Sequence, residues 1–293
     1  MSLAEQSRTK ALMFNGRSGP KSKRLVRVFE KSFSQRFDDV VGEEPLEIHI
    51  SQGGCVSLFS VTMRTPGNDF ELVAGLLYAE GFITDREDIA ELRYSCNGPD
   101  GQDYNVIVAH LRTVRREVES LERTMIASSA CGVCGKSSLD DRFTKREGVV
   151  AEYSIDASYL LSLVDAMRSE QRYFDATGGV HAAGMFDLEG RRLTVKEDVG
   201  RHNAVDKAVG YLLLNGELSK VSVMVVSGRA GFEILQKALV ARVGVVASVS
   251  APTSLAIDLA TEKGITLVGF LREKSFNIYS HPTRISSQRS LVS

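Results

Sequence analysis

From Val221 to Leu271 the chain repeats a pattern that few folds accept: short, nearly continuous apolar runs alternate with amphipathic stretches. Val221–Val226, Val245–Val249 and Ile265–Leu271 present no polar face. Strands of that kind must be covered on both sides. Separated by the helical stretches Phe232–Val243 and Ser254–Lys263, they indicate a parallel or mixed sheet between layers of helix. Upstream, Asp156 to Tyr173 reads as one amphipathic helix with Leu160, Leu161, Val164 and Met167 inward. A hairpin joins His181–Phe186 to Leu193–Lys196 through Asp187-Leu188-Glu189-Gly190, and His202–Leu214 is a further helix. The fold class is α/β. Ligands of such sheets gather at the carboxyl ends of the strands, so function is to be sought in the loops there.

The stretch from Val26 to the middle 120s is different. Leu46-Glu47-Ile48-His49-Ile50 alternates as a half-buried strand does, and Cys55 to Met63 reads as its neighbour. Pro66-Gly67 makes a turn, Asn68 stands where a helix cap would, and Glu71 where the reciprocal capping group would. The helix that follows carries Leu72, Val73, Leu76 and Leu77 on one side and ends at Gly81. Arg93–Cys96 and Tyr104–His110 flank the Asn97-Gly98-Pro99-Asp100-Gly101 turn as strands. The expected organisation is a basic flexible tail over 1–25, a small α+β domain over 26–126, a mobile loop over 127–138 and an α/β domain over 139–293.

Composition excludes some functions. A chain of 293 residues suggests roughly two domains. With a formal net charge of -1, nothing overall points to nucleic acid, so an anionic ligand must be met by local basic groups. No run reaches the roughly 18 apolar residues of a membrane span, and the N-terminus lacks a signal-peptide stretch, which makes a cytoplasmic location the expectation. Four cysteines are too few for a disulfide framework here; Cys55 and Cys96, in strand-like sequence, read as small buried residues.

The other two cysteines stand in Cys131-Gly132-Val133-Cys134-Gly135-Lys136, between Ser128-Ser129 and Ser137-Ser138. Two thiols at this spacing bind a metal, exchange a disulfide or carry sulfur, and a Ser/Gly segment gives the pair a mobile tether. Lys136 favours the reactive thiolate. Three strand-end loops add donors for an anion. Ser227-Gly228-Arg229-Ala230-Gly231 offers small residues, a helix start and a guanidinium. Ser248 to Ser254 offers hydroxyls, which plain helix capping explains equally well. Phe270-Leu271-Arg272-Glu273-Lys274-Ser275 carries two cations and reads either as a nucleotide contact or as a solvated loop. Glu197-Asp198-Val199-Gly200-Arg201-His202-Asn203 crowds polar groups at one turn, as a ligand-orienting site does, and His202 and His181 are candidates to face one pocket.

Taken in order, Cys131–Gly135, Thr177-Gly178-Gly179-Val180-His181, Glu197–Lys207, Ser227–Arg229 and Ser250–Ser254 resemble the FdhD family of sulfur carrier proteins needed for formate dehydrogenase activity. Thr65–Asp69 with Glu80-Gly81 is similar to the family's N-terminal pattern, and the likeness spans about Val41 to Tyr279. The resemblance implies a sulfurtransferase that takes persulfide sulfur from a cysteine desulfurase on Cys131, with Cys134 auxiliary. It implies delivery to the molybdenum or tungsten of a bis-molybdopterin guanine dinucleotide cofactor, bound before that cofactor enters formate dehydrogenase. It further implies a cytidine-deaminase-like α/β domain, cofactor contacts at Phe270 to Ser275, no resident metal, and a homodimer.

Two rival chemistries fit poorly. A zinc deaminase needs a Glu two residues after its His, whereas His181 is followed by Ala182-Ala183, and the cysteine pair here precedes that His. A thioredoxin-like exchanger places its cysteines at a helix start after a strand, not in a Ser/Gly loop. A cofactor chaperone that moves no sulfur would use the same loops.

Overall fold

In the computed structural model, residues 19–96, 103–113, 148 and 153–287 are described. The first ordered feature is an antiparallel ribbon in which β1 (Lys21–Phe29) pairs along its whole length with β2 (Phe33–Val41). The flexible tail expected to run to Leu25 therefore overlaps a strand. Its apolar residues, Leu25, Val26, Val28 and Phe29, become cohesive only when paired across to Phe33–Val40, a non-local pattern that a one-dimensional reading misses.

β3 (Glu44–Gln52), β4 (Cys55–Arg64), β5 (Ile89–Ser95) and β6 (Asp103–Leu111) form a four-stranded sheet in the order β4-β3-β6-β5. Leu46, Ile48 and Ile50 point from β3 to one face, where Leu72, Val73 and Leu77 of helix α1 (Asp69–Ala79) cover them. Asn68 does precede that helix, but in a left-handed conformation (φ 56°), and its side chain donates to Glu71 Oε1 at 2.9 Å instead of accepting a backbone N–H. Gly81 turns the chain at φ 76°, and Phe82 N–H reaches Leu77 O at 2.9 Å.

The second sheet has six strands. β7 (Ile155–Asp156), helix α2 (Ala157–Arg168) and helix α3 (Arg172–Thr177) lead into β8 (His181–Phe186) and β9 (Arg192–Asp198). Helix α4 (Arg201–Leu214), β10 (Val223–Val226), helix α5 (Phe232–Val240), β11 (Val245–Ser248), helix α6 (Ser254–Lys263), β12 (Thr266–Gly269), β13 (Asn277–Ser280) and β14 (Ile285–Ser286) follow. The order is β13-β12-β11-β10-β8-β9, with β10, β11 and β12 parallel and the other neighbours antiparallel; β7 pairs separately with β14. The mixed α/β sheet is as the apolar runs require. All four residues of β10 are buried because Met224 and Val226 face α4, α5 and α6 while Val223 and Val225 face α2. The single helix expected over Asp156–Tyr173 is two: α2 buries Leu160, Leu163 and Met167, then stops, and the chain turns through buried Gln171 before α3.

The two sheets are joined by α1 lying on α4. The backbones touch at two glycines: a Cβ on Gly75 would stand 2.0 Å from Asp206 O, and one on Gly210 1.9 Å from Glu71 O. Mid-helix glycine costs about 1 kcal/mol against alanine, and close approach is what it gains here. Gly210→Ala should therefore destabilise the protein by at least the ~1–3 kcal/mol typical of overpacking, measured by urea unfolding. Gly231→Ala, where a Cβ meets nothing within 4 Å, should stay close to wild type.

Candidate functional site at the carboxyl edge of the six-stranded sheet

Strand direction alone gathers most of the expected residues. Because β8 runs against β9 and β10, its first residue lies beside their last ones: His181 pairs with Asp198, and Ala183 with Val226. Parallel β10, β11 and β12 end on that same edge, so the loops starting at Ser227, Val249 and Phe270 stand side by side.

Hydrogen bonds tie these loops into one rim. Ser227 Oγ accepts from Ala182 N–H (2.9 Å) while Ser227 N–H donates to Ala182 O (3.0 Å). Buried Ser248 Oγ donates to Gly228 O (2.7 Å) and accepts from Ser250 N–H (3.1 Å). Thr253 N–H donates to Ala230 O, Phe270 N–H to Ser250 O and Leu271 N–H to Ser248 O, each at 3.0–3.1 Å. Arg272 Nη1 donates to Val249 O and to Leu271 O (2.9 Å), so this cation clips the third loop to the second. Glu273, Lys274 and Ser275 are exposed, and Phe270 stands 42% exposed in a left-handed conformation (φ 52°). An exposed aromatic held in strained backbone is a feature of ligand clamps.

His181, His202 and Gly228 do come together, joined by Arg201. A Cβ on Gly228 would lie 3.2 Å from His181 Nδ1 and 3.6 Å from Arg201 Cβ, so glycine keeps that approach open. Burial holds the His181 pKa below the ordinary value, reinforced by the neighbouring Arg201 and His202 and opposed by Asp198. His202 Nε2 lies 3.0 Å from Glu233 Oε2 at the start of α5. The side chains of Arg201, Arg229 and Lys274 make no hydrogen bond or ion pair among the described residues, which leaves three cations on the loops of this edge. Arg201 and Glu233 were not singled out as site residues. In the sequence Arg201 is one polar residue among several in Glu197–Asn203, and Glu233 is a first-turn acid of a helix.

The rest of that polar motif has a structural task. Asp198, fully buried, is 2.7 Å from Lys207 Nζ and accepts from Gly200 N–H (2.8 Å), Thr65 N–H (3.1 Å) and Asn203 Nδ2 (3.2 Å). Lys207 also donates to Thr65 O (2.7 Å), and Thr65 Oγ1 accepts from Val199 N–H (3.0 Å). Glu197 accepts from Tyr173 and Phe174 N–H groups at 2.9 and 2.8 Å and so anchors α3. Beside this cluster, buried Arg64 pairs with Asp69 (3.0 and 3.1 Å) and Asn105 (3.0 Å). Of Glu197–Lys207, Arg201 and His202 lie beside His181 outside this buried network.

Cys131 and Cys134 lie outside the described residues. Cys55 and Cys96 are exposed, not buried, because they sit at a glycine turn and a strand end where neither face of the sheet encloses them. Among the described residues no group of three or more metal-ligating side chains occurs.

Fold and rim together define an α/β protein with an ordered, cation-bearing loop rim at the carboxyl edge of its mixed sheet. The FdhD/NarQ family model matches residues 41–286, and the chain belongs to that family. It is 45% identical over 272 residues to the sulfur carrier protein FdhD of Streptomyces coelicolor, covering 90% of this chain and 95% of the relative. It is 46% identical over 258 residues to that of Thermoplasma acidophilum, covering 86% and 89%. The fold is shared with a crystal structure from Desulfotalea psychrophila described as a formate dehydrogenase accessory protein (TM-score 0.73, 23% identity, 91% of this chain and 100% of that one).

The histidine environment gives a pH test. Since the folded chain binds the His181 proton more weakly than the unfolded chain, this residue's contribution to stability is present above about pH 6.5 and declines as pH falls through that value. Arg201→Gln should raise the His181 titration midpoint, read from its imidazole carbon-bound proton by NMR, while Glu197→Gln should leave it nearly unchanged.

Proposed function

We propose that the protein is a sulfurtransferase of the persulfide-carrier type. It accepts sulfur from a cysteine desulfurase on Cys131 and passes it to the metal of a bis-molybdopterin guanine dinucleotide cofactor destined for formate dehydrogenase. The observation that carries this reading is the rim: Arg201, Arg229 and Lys274, without protein partners among the described residues, stand on one sheet edge with His181, Gly228 and Ser227. Cations at strand ends suit the phosphates of a dinucleotide, and exposed Phe270 offers a face for a base. The relatives' name, sulfur carrier protein, and the Cys131-x-x-Cys134 pair supply the thiol side of the reading.

The chemistry assigned to the chain is limited and specific. The Cys131 thiolate attacks the outer sulfur of the desulfurase persulfide; a sulfur–sulfur bond forms to Cys131, and the donor cysteine leaves as thiolate. The rim holds the client cofactor by its phosphates, and Cys134 shields or assists the carrier sulfur. Working as a homodimer in the cytoplasm accords with this traffic, and among the described residues no helix is long and apolar enough to cross a membrane.

Cys131→Ala should abolish formate dehydrogenase activation in a strain lacking the native copy, with Cys134→Ala milder. Mass spectrometry after incubation with desulfurase and cysteine should show one added sulfur on Cys131. A bound cofactor with no added sulfur would mark a chaperone that moves none. For the rim, Arg229→Ala with Lys274→Ala should weaken GDP binding roughly ten- to a hundredfold, the loss of about 1.5–3 kcal/mol expected for charge-assisted contacts. Arg272→Ala should weaken it too, by freeing the third loop from Val249 O. Calorimetry with GDP measures both.

A further inference from the structure

One face of the β1–β2 ribbon carries a row of exposed apolar side chains. On it Leu25 stands opposite Phe37 and Phe29 opposite Phe33, with Arg27 and Gln35 between them. These four apolar side chains are 58, 68, 65 and 62% exposed, while Val26 and Val28 on the reverse are partly buried. Phe29 and Phe33 pack on each other at 5.1 Å, and the Arg27 guanidinium lies 4.1 Å from the Phe33 ring centre. A contiguous apolar ladder on an exposed face marks an interaction surface. A two-stranded ribbon is also only marginally stable in water without cover.

Charge decides between occupants. Residues of the same parity on β1 share this face, so Lys21, Lys23 and Arg27 flank the ladder, with Asp39 as the acid opposite Lys23. Asp39 is taken by Lys21 (2.8 Å), a hydrogen bond that holds its pKa down. Lys23 and Arg27 have no ion pair among the described residues. Two copies laid face to face would oppose these cations, whereas a segment of apolar residues interleaved with carboxylates would satisfy both ladder and rim. The ribbon is also rooted beside the functional edge. Gly42 N–H donates to Pro20 O (2.8 Å), and a Cβ on Gly179, two residues before His181, would lie 2.8 Å from Val41 Cγ1.

We propose that the β1–β2 ribbon is a docking arm for a partner protein that presents an acidic, apolar segment, and that it delivers this partner to the mouth of the sheet-edge site. That the partner is a donor or recipient of sulfur rests on the reading given above; the surface itself does not.

The test uses the full chain and a labelled twelve-residue peptide alternating Glu with Leu and Phe, followed by fluorescence anisotropy. Leu25→Thr, Phe29→Thr, Phe33→Thr and Phe37→Thr together keep β-propensity while removing the ladder; Lys23→Glu with Arg27→Glu keeps the ladder and reverses the charge. Each set should weaken peptide binding by at least about tenfold, with GDP binding intact. Unchanged peptide binding in both sets overturns the proposal. So does equal binding of a Lys-for-Glu peptide, preferential binding of poly(U), or a wild-type dimer in sedimentation that the threonine set dissolves. Absence of GDP binding in the wild type would instead sink the rim reading and leave the arm standing.

Discussion

Everything at the sheet edge depends on two helices whose backbones touch. Glycine at 75 and at 210 lets α1 lie on α4 closely enough that the carbonyls of Glu71 and Asp206 fill the places side chains would take. That contact carries the four-stranded sheet onto the six-stranded one and brings the Thr65 turn against Asp198 and Lys207. The buried ion pair there is then satisfied from both sides. Removing either charge would leave the other stranded in a dry interior, a loss of several kcal/mol in comparable cases. The close approach makes the network possible, and the network fixes where the polypeptide leaves β9 to start α4. Arg201 and His202 are placed by that departure.

The rim is built on the opposite principle. Its inner surface is closed by hydrogen bonds among Ser227, Ser248, Ser250 and neighbouring backbone, while the side chains of Arg201, Arg229 and Lys274 have no partners among the described residues. Loops already ordered lose little entropy when a ligand arrives, and donors already aimed need no reorganisation.

Much of this was legible in the residues because strand ends in an α/β sheet are geometrically committed. Apolar runs at Val221–Val226 and Val245–Val249 dictated coverage on both faces, and parallel strands then forced their following loops to one edge. What could not be read was how far each polar motif is used for holding the protein together. Asp198, Asn203 and Lys207 look like ligand groups in one dimension; they become structural only because Thr65, more than a hundred residues away, supplies their partners. The helix break at Ser169 and the strand β13 were missed for a related reason. Neither has a strong local signal, and packing against the sheet decides both. The ribbon escaped because its cohesion comes from cross-strand pairs of Leu25 with Phe37 and Phe29 with Phe33.

The Thr65–Asp198 contact has a temporal side. Its two ends are separated by 133 residues. Ribosomes add roughly 5–20 residues per second, so about 7–27 s pass between the synthesis of the Thr65 turn and that of the carboxylate that receives its N–H. Throughout that interval α1 has no α4 to lie on, and the face around Gly75 is open. The cysteine pair at 131 and 134 is translated within the same window, before the second sheet exists. The nascent protein thus carries Cys131 and Cys134 before the six-stranded sheet has been made, and the Gly75 face stays open until α4 arrives to cover it.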